Sequence, residues 1–151
     1  MRKCIFLFFL GLAIFLLGQN IFAFKPGKIF YVAFDSMPDL KDNKVYAKGY
    51  PIGKILDKEL SEDLKVIITI RIYPKYTASI TKGGVFYADN GKLNYDILEK
   101  DTKQPLPSES ILLGFSSKKE FYLFKAQYHV QKLAEEARKR AEELYKEIKE
   151  K

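Results

Sequence analysis

Cysteine, histidine and tryptophan are nearly missing from this 151-residue chain, which has one cysteine, one histidine and no tryptophan. The single cysteine, Cys4, excludes an internal disulfide. Its position in an apolar segment is typical of a free cysteine that acts as an apolar filler. His129 is the single histidine, so the sequence has no Cys/His cluster that could hold zinc.

The sequence also lacks the motifs of common enzyme classes. It contains no glycine-rich phosphate-binding loop and no Gly-x-Ser-x-Gly nucleophile elbow. His129 lies one residue before an apolar helical seam, where a surface or packing role is more usual than a catalytic one. The acidic groups Asp39/Asp42 and Glu59/Glu62/Asp63 occur in charged, turn-like segments. We therefore predict a protein that is not an enzyme, with no catalytic residues, metal ligands or cofactor.

Composition favours one β-rich domain with extensions. The 47% hydrophobic content of 151 residues is enough for one core. The 12 Phe and 10 Tyr residues favour β structure. The formal charge of +7 suits nucleic acid and an anionic membrane surface equally well.

An uncharged run from Cys4 to Phe24 follows Arg2 and Lys3. At about 1.5 Å per residue in a helix, the run could cross about 30 Å of hydrocarbon. The preferred interpretation of residues 1–24 is a transmembrane anchor, with the basic N-terminus in the cytoplasm.

A signal peptide is the alternative for the same segment. Ile5–Leu17 would then be its apolar core and cleavage would follow Ala23, although Ile21 occupies a position where a small residue is preferred. In both cases the body of the chain is exported, which argues against nucleic acid as a partner.

Several segments after residue 27 have strand patterns. In Leu64–Tyr73 the alternate residues from Leu64 to Ile72 are apolar, and Pro74 ends the segment. The segment from Lys28, KIFYVAF, is apolar on both faces, as in a small closed barrel. The predicted strands are Lys28–Phe34, Val45–Ala47, Ile52–Ile55, Leu64–Tyr73, Val85–Ala88, Leu93–Leu98 and Ile111–Phe115.

A tight corner is predicted between the second and third of these strands. Gly49 can take a positive φ, and Pro51 biases Tyr50 to an extended conformation. Gly53 is expected to mark a β-bulge or a close backbone approach. The charged segment Asp57–Asp63 is predicted to be a turn.

The stretch VYAKGYPIGKI, Val45–Ile55, resembles the signature of the mammalian cell entry (MCE) domain. That family has Gly, an apolar residue, any residue, Val/Ile, Gly, any residue and Val/Ile after an extended arm. The corresponding residues here are Gly49, Tyr50, Pro51, Ile52, Gly53, Lys54 and Ile55. The order of the surrounding segments is also similar, from about Ile29 to Phe115.

The resemblance implies a small seven-stranded MCE β-barrel over residues 28–117. MCE proteins form homo-hexameric rings around an apolar pore, usually in the inner membrane of double-membraned bacteria. They move phospholipid or other hydrophobic molecules across the periplasm with an ABC-transporter permease and ATPase. The chain would then be the single-pass substrate-binding subunit of such a system, with its bulk in the periplasm.

The resemblance also implies that the loop Asn90–Asn94 lines the pore, through Gly91, Lys92, Leu93 and Asn94. Leu93 would contact acyl chains. Lys92 and Asn94 depart from the family's apolar residue and glycine. A ring of six lysines implies an anionic occupant such as a lipid phosphate; alternatively, Lys92 points to solvent from a turn.

Residues 118–151 are predicted to form a helix, because no Gly or Pro occurs from Phe121 onward and Lys, Glu and Ala dominate. Its apolar residues follow alternating steps of four and three, the a/d spacing of a coiled coil. Two interpretations are open: helices that bundle in an oligomer, and a solvated helix lying on its own barrel. The seam residues are Val130, Ala134, Ala137, Ala141, Leu144 and Ile148.

Three function classes follow. The preferred one is a subunit of a lipid-transport ring. The second is a structural envelope protein in which anchor, barrel and coiled coil serve tethering. The third is a secreted binding domain released by cleavage after Ala23.

Overall fold

Seven β-strands close into a barrel, and one long helix follows them. The computed structural model describes residues 26–98 and 104–149. Within those residues the strand order around the barrel is β1-β4-β3-β2-β6-β5-β7, and β7 pairs with β1 to close it. The elements are β1 Lys28–Phe34, β2 Lys44–Ala47, β3 Tyr50–Leu60, β4 Val66–Ile72, a 3₁₀ helix Pro74–Ser79, β5 Gly84–Asp89, β6 Lys92–Ile97, β7 Ile111–Phe115 and α1 Lys118–Lys149.

The barrel mixes two kinds of strand pairing. Hairpins join β2 to β3, β3 to β4, and β5 to β6 in antiparallel pairs. Parallel pairs join β2 to β6, β5 to β7, and β1 to β7. The core fills the interior with alternate residues of each strand, such as Phe30, Val32 and Phe34 of β1, which are fully buried. The predicted mainly β fold with a barrel and a C-terminal helix is therefore confirmed.

The predicted corner between β2 and β3 is confirmed at Lys48–Gly49. Both residues have positive φ, 50° and 83°, as a two-residue hairpin turn requires. Pro51 already belongs to β3 and lies opposite Tyr46. The strand register shifts between Val45 and Tyr46, which marks a bulge next to the buried Gly53.

The ends of β3 and the start of β4 differ most from the sequence prediction, and other strand ends differ by one residue at most. Asp57–Asp63 is not one turn, because β3 continues to Leu60 and pairs there with β4. The residues from Asp57 to Leu60 are exposed, so their charges do not oppose the backbone pairing. Leu64 does not share the core face of β4: it lies in the turn before that strand, with φ of 58° and 74% exposure.

The first turns of α1 pack against β5 and β7. Phe121 is 1% exposed and forms a small cluster with Val85 and Phe115. Lys118 pairs with Asp89 at 2.9 Å, at the C-terminal end of β5. Phe124 and Tyr128, farther along the helix, lie near Gly84 at the start of that strand. The helix therefore runs back along the barrel wall, antiparallel to β5.

From His129 to Ala141 every side chain of α1 is exposed. The interpretation of a helix lying on its own barrel is therefore correct only for its first turns. No helix among residues 26–98 and 104–149 combines the length and apolar character needed to cross a membrane. The predicted anchor, residues 1–24, lies outside the described residues.

Candidate functional site

The predicted pore-lining residues lie at the start of β6 and in the turn before it. Asn90 and Gly91 form the β5–β6 turn, with φ of 51° and 75°. A Cβ atom at Gly91 would lie 3.0 Å from the Lys41 side chain, so the turn packs closely on the loop before β2. The Asn94 side-chain amide donates to the Lys92 carbonyl oxygen at 3.2 Å.

Leu93 points into the barrel. It is 0% exposed and belongs to the main core, on the same face of β6 as Tyr95. Its side chain therefore has no exposed surface to offer an acyl chain. Of the four predicted residues, Lys92 presents the most chemically distinctive exposed group.

The Lys92 ammonium lies over the ring of Tyr46, with its Nζ 5.0 Å from the ring centroid. The Tyr46 hydroxyl donates a hydrogen bond to the Asp42 carboxylate. This bond lowers the pKa of the Asp42 carboxyl and raises the pKa of the Tyr46 hydroxyl. Lys92, Tyr46 and Asp42 thus form one surface cluster with an exposed cation, next to the β5–β6 turn.

A groove opens at the other end of the barrel, where β1 and β3 begin. We call it the tyrosine groove, and its volume is about 590 Å³. Tyr50 is 72% exposed at its edge, and Ile97 is 36% exposed. Its lining residues are Ala47, Lys48, Tyr50, Ile52, Tyr76, Ser79, Tyr95, Asp96 and Ile97.

Tyr95 fixes the inner wall of this groove. Its hydroxyl donates to the Ser79 carbonyl oxygen at 3.0 Å and accepts from the Thr81 backbone N–H at 3.2 Å. Burial raises the pKa of Tyr95 above its ordinary value. The ring therefore presents an apolar edge, while its polar atom is held by backbone groups.

The motif residues of the β2–β3 hairpin have structural roles around the same groove. Gly49 forms the turn, Pro51 is exposed, and Ile52 is 4% exposed in the core and lines the groove. Sequence reasoning found this hairpin but not the groove. Its other walls come from the 3₁₀ helix and β6, which are distant in sequence, so no local pattern indicates it.

The predicted helix seam is exposed as far as its side chains are described. Val130 is 65% exposed, and Ala134, Ala137 and Ala141 are exposed as well. Leu144 and Ile148 lie within α1. The seam prediction omitted other exposed apolar residues of the same helix, Tyr122, Leu123, Leu133 and Tyr145.

Within the part of the chain that the structure describes, no three His, Cys, Asp or Glu residues are grouped so that they could hold a metal ion. No protein-family model matches the chain, and no curated protein matches it.

Proposed function

We propose that this chain is a non-catalytic, MCE-type subunit of a phospholipid transport system. Residues 1–24 would anchor it in the inner membrane, with the barrel in the periplasm. Six copies would form a ring, and an ABC permease and ATPase would supply the energy. The protein itself would make and break no bond.

One observation carries the proposal. The segment whose motif order resembles the MCE domain, about Ile29 to Phe115, coincides with the closed barrel from Lys28 to Phe115. The signature from Gly49 to Ile55 covers the end of the β2–β3 turn and the start of β3. The sequence pattern and the barrel therefore have the same limits.

The tyrosine groove supports a hydrophobic ligand. Its volume of about 590 Å³ falls in the range of small-molecule sites. Tyr50, Tyr76 and Ile97 offer apolar surface. Of the two charged residues in the lining, Lys48 offers a cation, and Asp96 is paired with Lys125 outside the groove. An amphiphile with an acyl chain and an anionic head fits this combination.

The burial of Leu93 changes the expected pore lining. In a ring built around the β5–β6 turn, Asn90 and Lys92 would face the pore, while Leu93 would remain in the core. Six Lys92 side chains would then attract an anionic headgroup. Lipid phosphate is the group that this arrangement favours.

Native mass spectrometry of the full chain, gently extracted from membranes with its lipids, tests the proposal. We expect a hexamer that carries phospholipid. Lys92→Glu should lower the phospholipid content, whereas Lys58→Glu, the same charge change on the exposed part of β3, should not. Equal lipid content in the two variants would remove Lys92 from the site.

A monomer that lacks residues up to Ala23 and carries no lipid would instead indicate a secreted domain. Tethering is the second candidate, favoured by the length of α1 that extends past its barrel contacts from His129. A membrane-retained oligomer without lipid would support tethering.

A further inference from the structure

Helix α1 has two apolar faces on opposite sides. One face, with Phe121, Phe124 and Tyr128, lies against the barrel. The other points away from it, and we call this exposed set the outward stripe. It consists of Leu123, Ala126, Val130, Leu133, Ala134, Ala137 and Ala141.

The outward stripe is wide. At about 100° per residue, its members cover an arc of about 100° around Val130. Leu123, Val130 and Leu133 are 58%, 65% and 66% exposed. A strict a/d seam is narrower, and Leu133 lies outside the seam spacing of the coiled-coil prediction. A broad stripe suits a broad apolar surface better than it suits one partner helix.

Between His129 and Ala141, the charged residues nearest the stripe are basic on both sides. Arg138 and Arg140 lie about 80° to either side of its centre at Val130. Glu135 and Glu142 lie farther round, and they pair with Lys139 at 3.3 Å and with Arg138 at 3.1 Å. A second copy of the stripe would bring arginines towards arginines, whereas an anionic surface complements both flanks.

The start of β1 lies close to the point where α1 leaves the barrel. The Lys28 ammonium, on the first residue of β1, donates to the Leu106 carbonyl oxygen at 3.1 Å. Leu106 lines a cleft together with Phe124 and Tyr128 of α1. The apolar run that ends at Phe24 is four residues from Lys28, which at most spans about 14 Å.

We propose that α1 lies on an anionic phospholipid bilayer. The outward stripe would sit at the boundary between headgroups and acyl chains, with Arg138 and Arg140 at the phosphates. The barrel then rests on the opposite face of the same helix. The inference relies on the proposed function only for the placement of residues 1–24 in the membrane.

The chain has no tryptophan, so one introduced indole reports on one position. We would place it in the full chain as Leu133→Trp, in the outward stripe, or as Lys139→Trp, on the opposite face of α1. Each variant is reconstituted into phosphatidylcholine vesicles with or without phosphatidylglycerol, and with brominated acyl chains as quencher. We expect a blue shift and bromolipid quenching for Leu133→Trp in anionic vesicles, and neither for Lys139→Trp.

A second test concerns the two arginines on either side of the outward stripe. Replacing both Arg138 and Arg140 with glutamine in the Leu133→Trp chain should weaken helix partition about thirtyfold, because each basic residue at an anionic surface adds to its attraction. Vesicles without phosphatidylglycerol should have the same effect.

A blue shift without bromolipid quenching, lost when the protein is diluted, would mean that another copy covers the stripe and would overturn the proposal. An exposed indole in every vesicle would overturn it as well. Resistance of the chain to extraction at high salt reports on residues 1–24 separately. Suppose that the Leu133→Trp chain is released at high salt and that added bromolipid vesicles still quench its indole. Residues 1–24 would then not be a membrane anchor, whereas the proposal that α1 lies on the bilayer would still hold.

Discussion

A Cβ atom at Gly53 would lie 2.4 Å from the carbonyl oxygen of Arg71. Because that oxygen belongs to the paired backbone of β4, it cannot move without disturbing the sheet. We expect Gly53→Ala to lower the free energy of unfolding by about 1–3 kcal/mol, measured in urea. Gly49→Asn is the control, since its site is open and Asn tolerates its φ of 83°. Equal free energies of unfolding for the two variants would show that the backbones of β3 and β4 leave room for a Cβ atom at Gly53.

Substitution of Leu93 distinguishes a core residue from a pore-lining residue. Because its side chain is 0% exposed, Leu93→Ala should lower the free energy of unfolding by about 2–5 kcal/mol. Leu64→Ala, at a position 74% exposed, should change it by about 0.5 kcal/mol or less. If Leu93→Ala left stability unchanged but removed the bound lipid, Leu93 would face a pore.

The hydroxyl of Tyr95 holds the backbone at the end of the 3₁₀ helix. Tyr95→Phe leaves the Ser79 carbonyl and the Thr81 N–H without this partner. We expect a loss of about 1–3 kcal/mol in the free energy of unfolding. Tyr50→Phe, at an exposed position, should leave it unchanged. If the two variants unfold at the same urea concentration, the two bonds of Tyr95 contribute nothing.

Alkaline pH should destabilise the barrel through the same tyrosine. Burial raises the folded-state pKa of Tyr95 above the ordinary value of 10.0. Between pH 10 and the raised pKa, the folded state therefore binds more protons than the unfolded state. The contribution of Tyr95 to the free energy of unfolding is fully present below pH 10 and is lost as the pH rises through the raised pKa. Thermal unfolding followed across this range should show a steeper decline for the native chain than for Tyr95→Phe. Parallel curves would contradict the assignment.

Phe121 packs the first turns of α1 against the barrel. Its ring stacks on Tyr87 with centroids 4.5 Å apart and an interplanar angle of 5°. Phe121→Ala should cost about 3–5 kcal/mol of packing and should raise hydrogen exchange in the first turns of α1 more than in β1–β4. Gln127→Ala, on an exposed position of the same helix, should raise neither. Exchange that rises evenly through the barrel would show that the helix and barrel unfold together.

Local patterns predicted most of the strands, because inward apolar residues alternate along β4 and β6 and β1 is apolar on both faces. The burial of Leu93 could also have been predicted from this alternation, because Leu93 and Tyr95 are two residues apart and share one face of β6. Pore lining was inferred from the family resemblance instead. The continuation of β3 to Leu60 was missed because its charged residues look like a turn, while the pairing that holds them comes from β4.

Contacts between distant segments could not be predicted in this way. The cluster of Lys92 with Tyr46, and the walls of the tyrosine groove, depend on how β2 and β6 meet in the closed barrel. The barrel-facing side of α1, with Phe121 and Phe124, was missed for a similar reason, because the predicted seam lies on the outward face alone. The barrel, which is remote in sequence, decides which face of the helix is covered.

The continuation of β3 leaves a short strand edge. Asp57–Leu60 pair with β4 on one side, and no described strand pairs with their other side. Such an edge is where chains join by strand addition and begin to aggregate. Three consecutive charges, Asp57, Lys58 and Glu59, occupy it. The residues that resembled a turn in the sequence thus protect this edge from strand pairing with another chain.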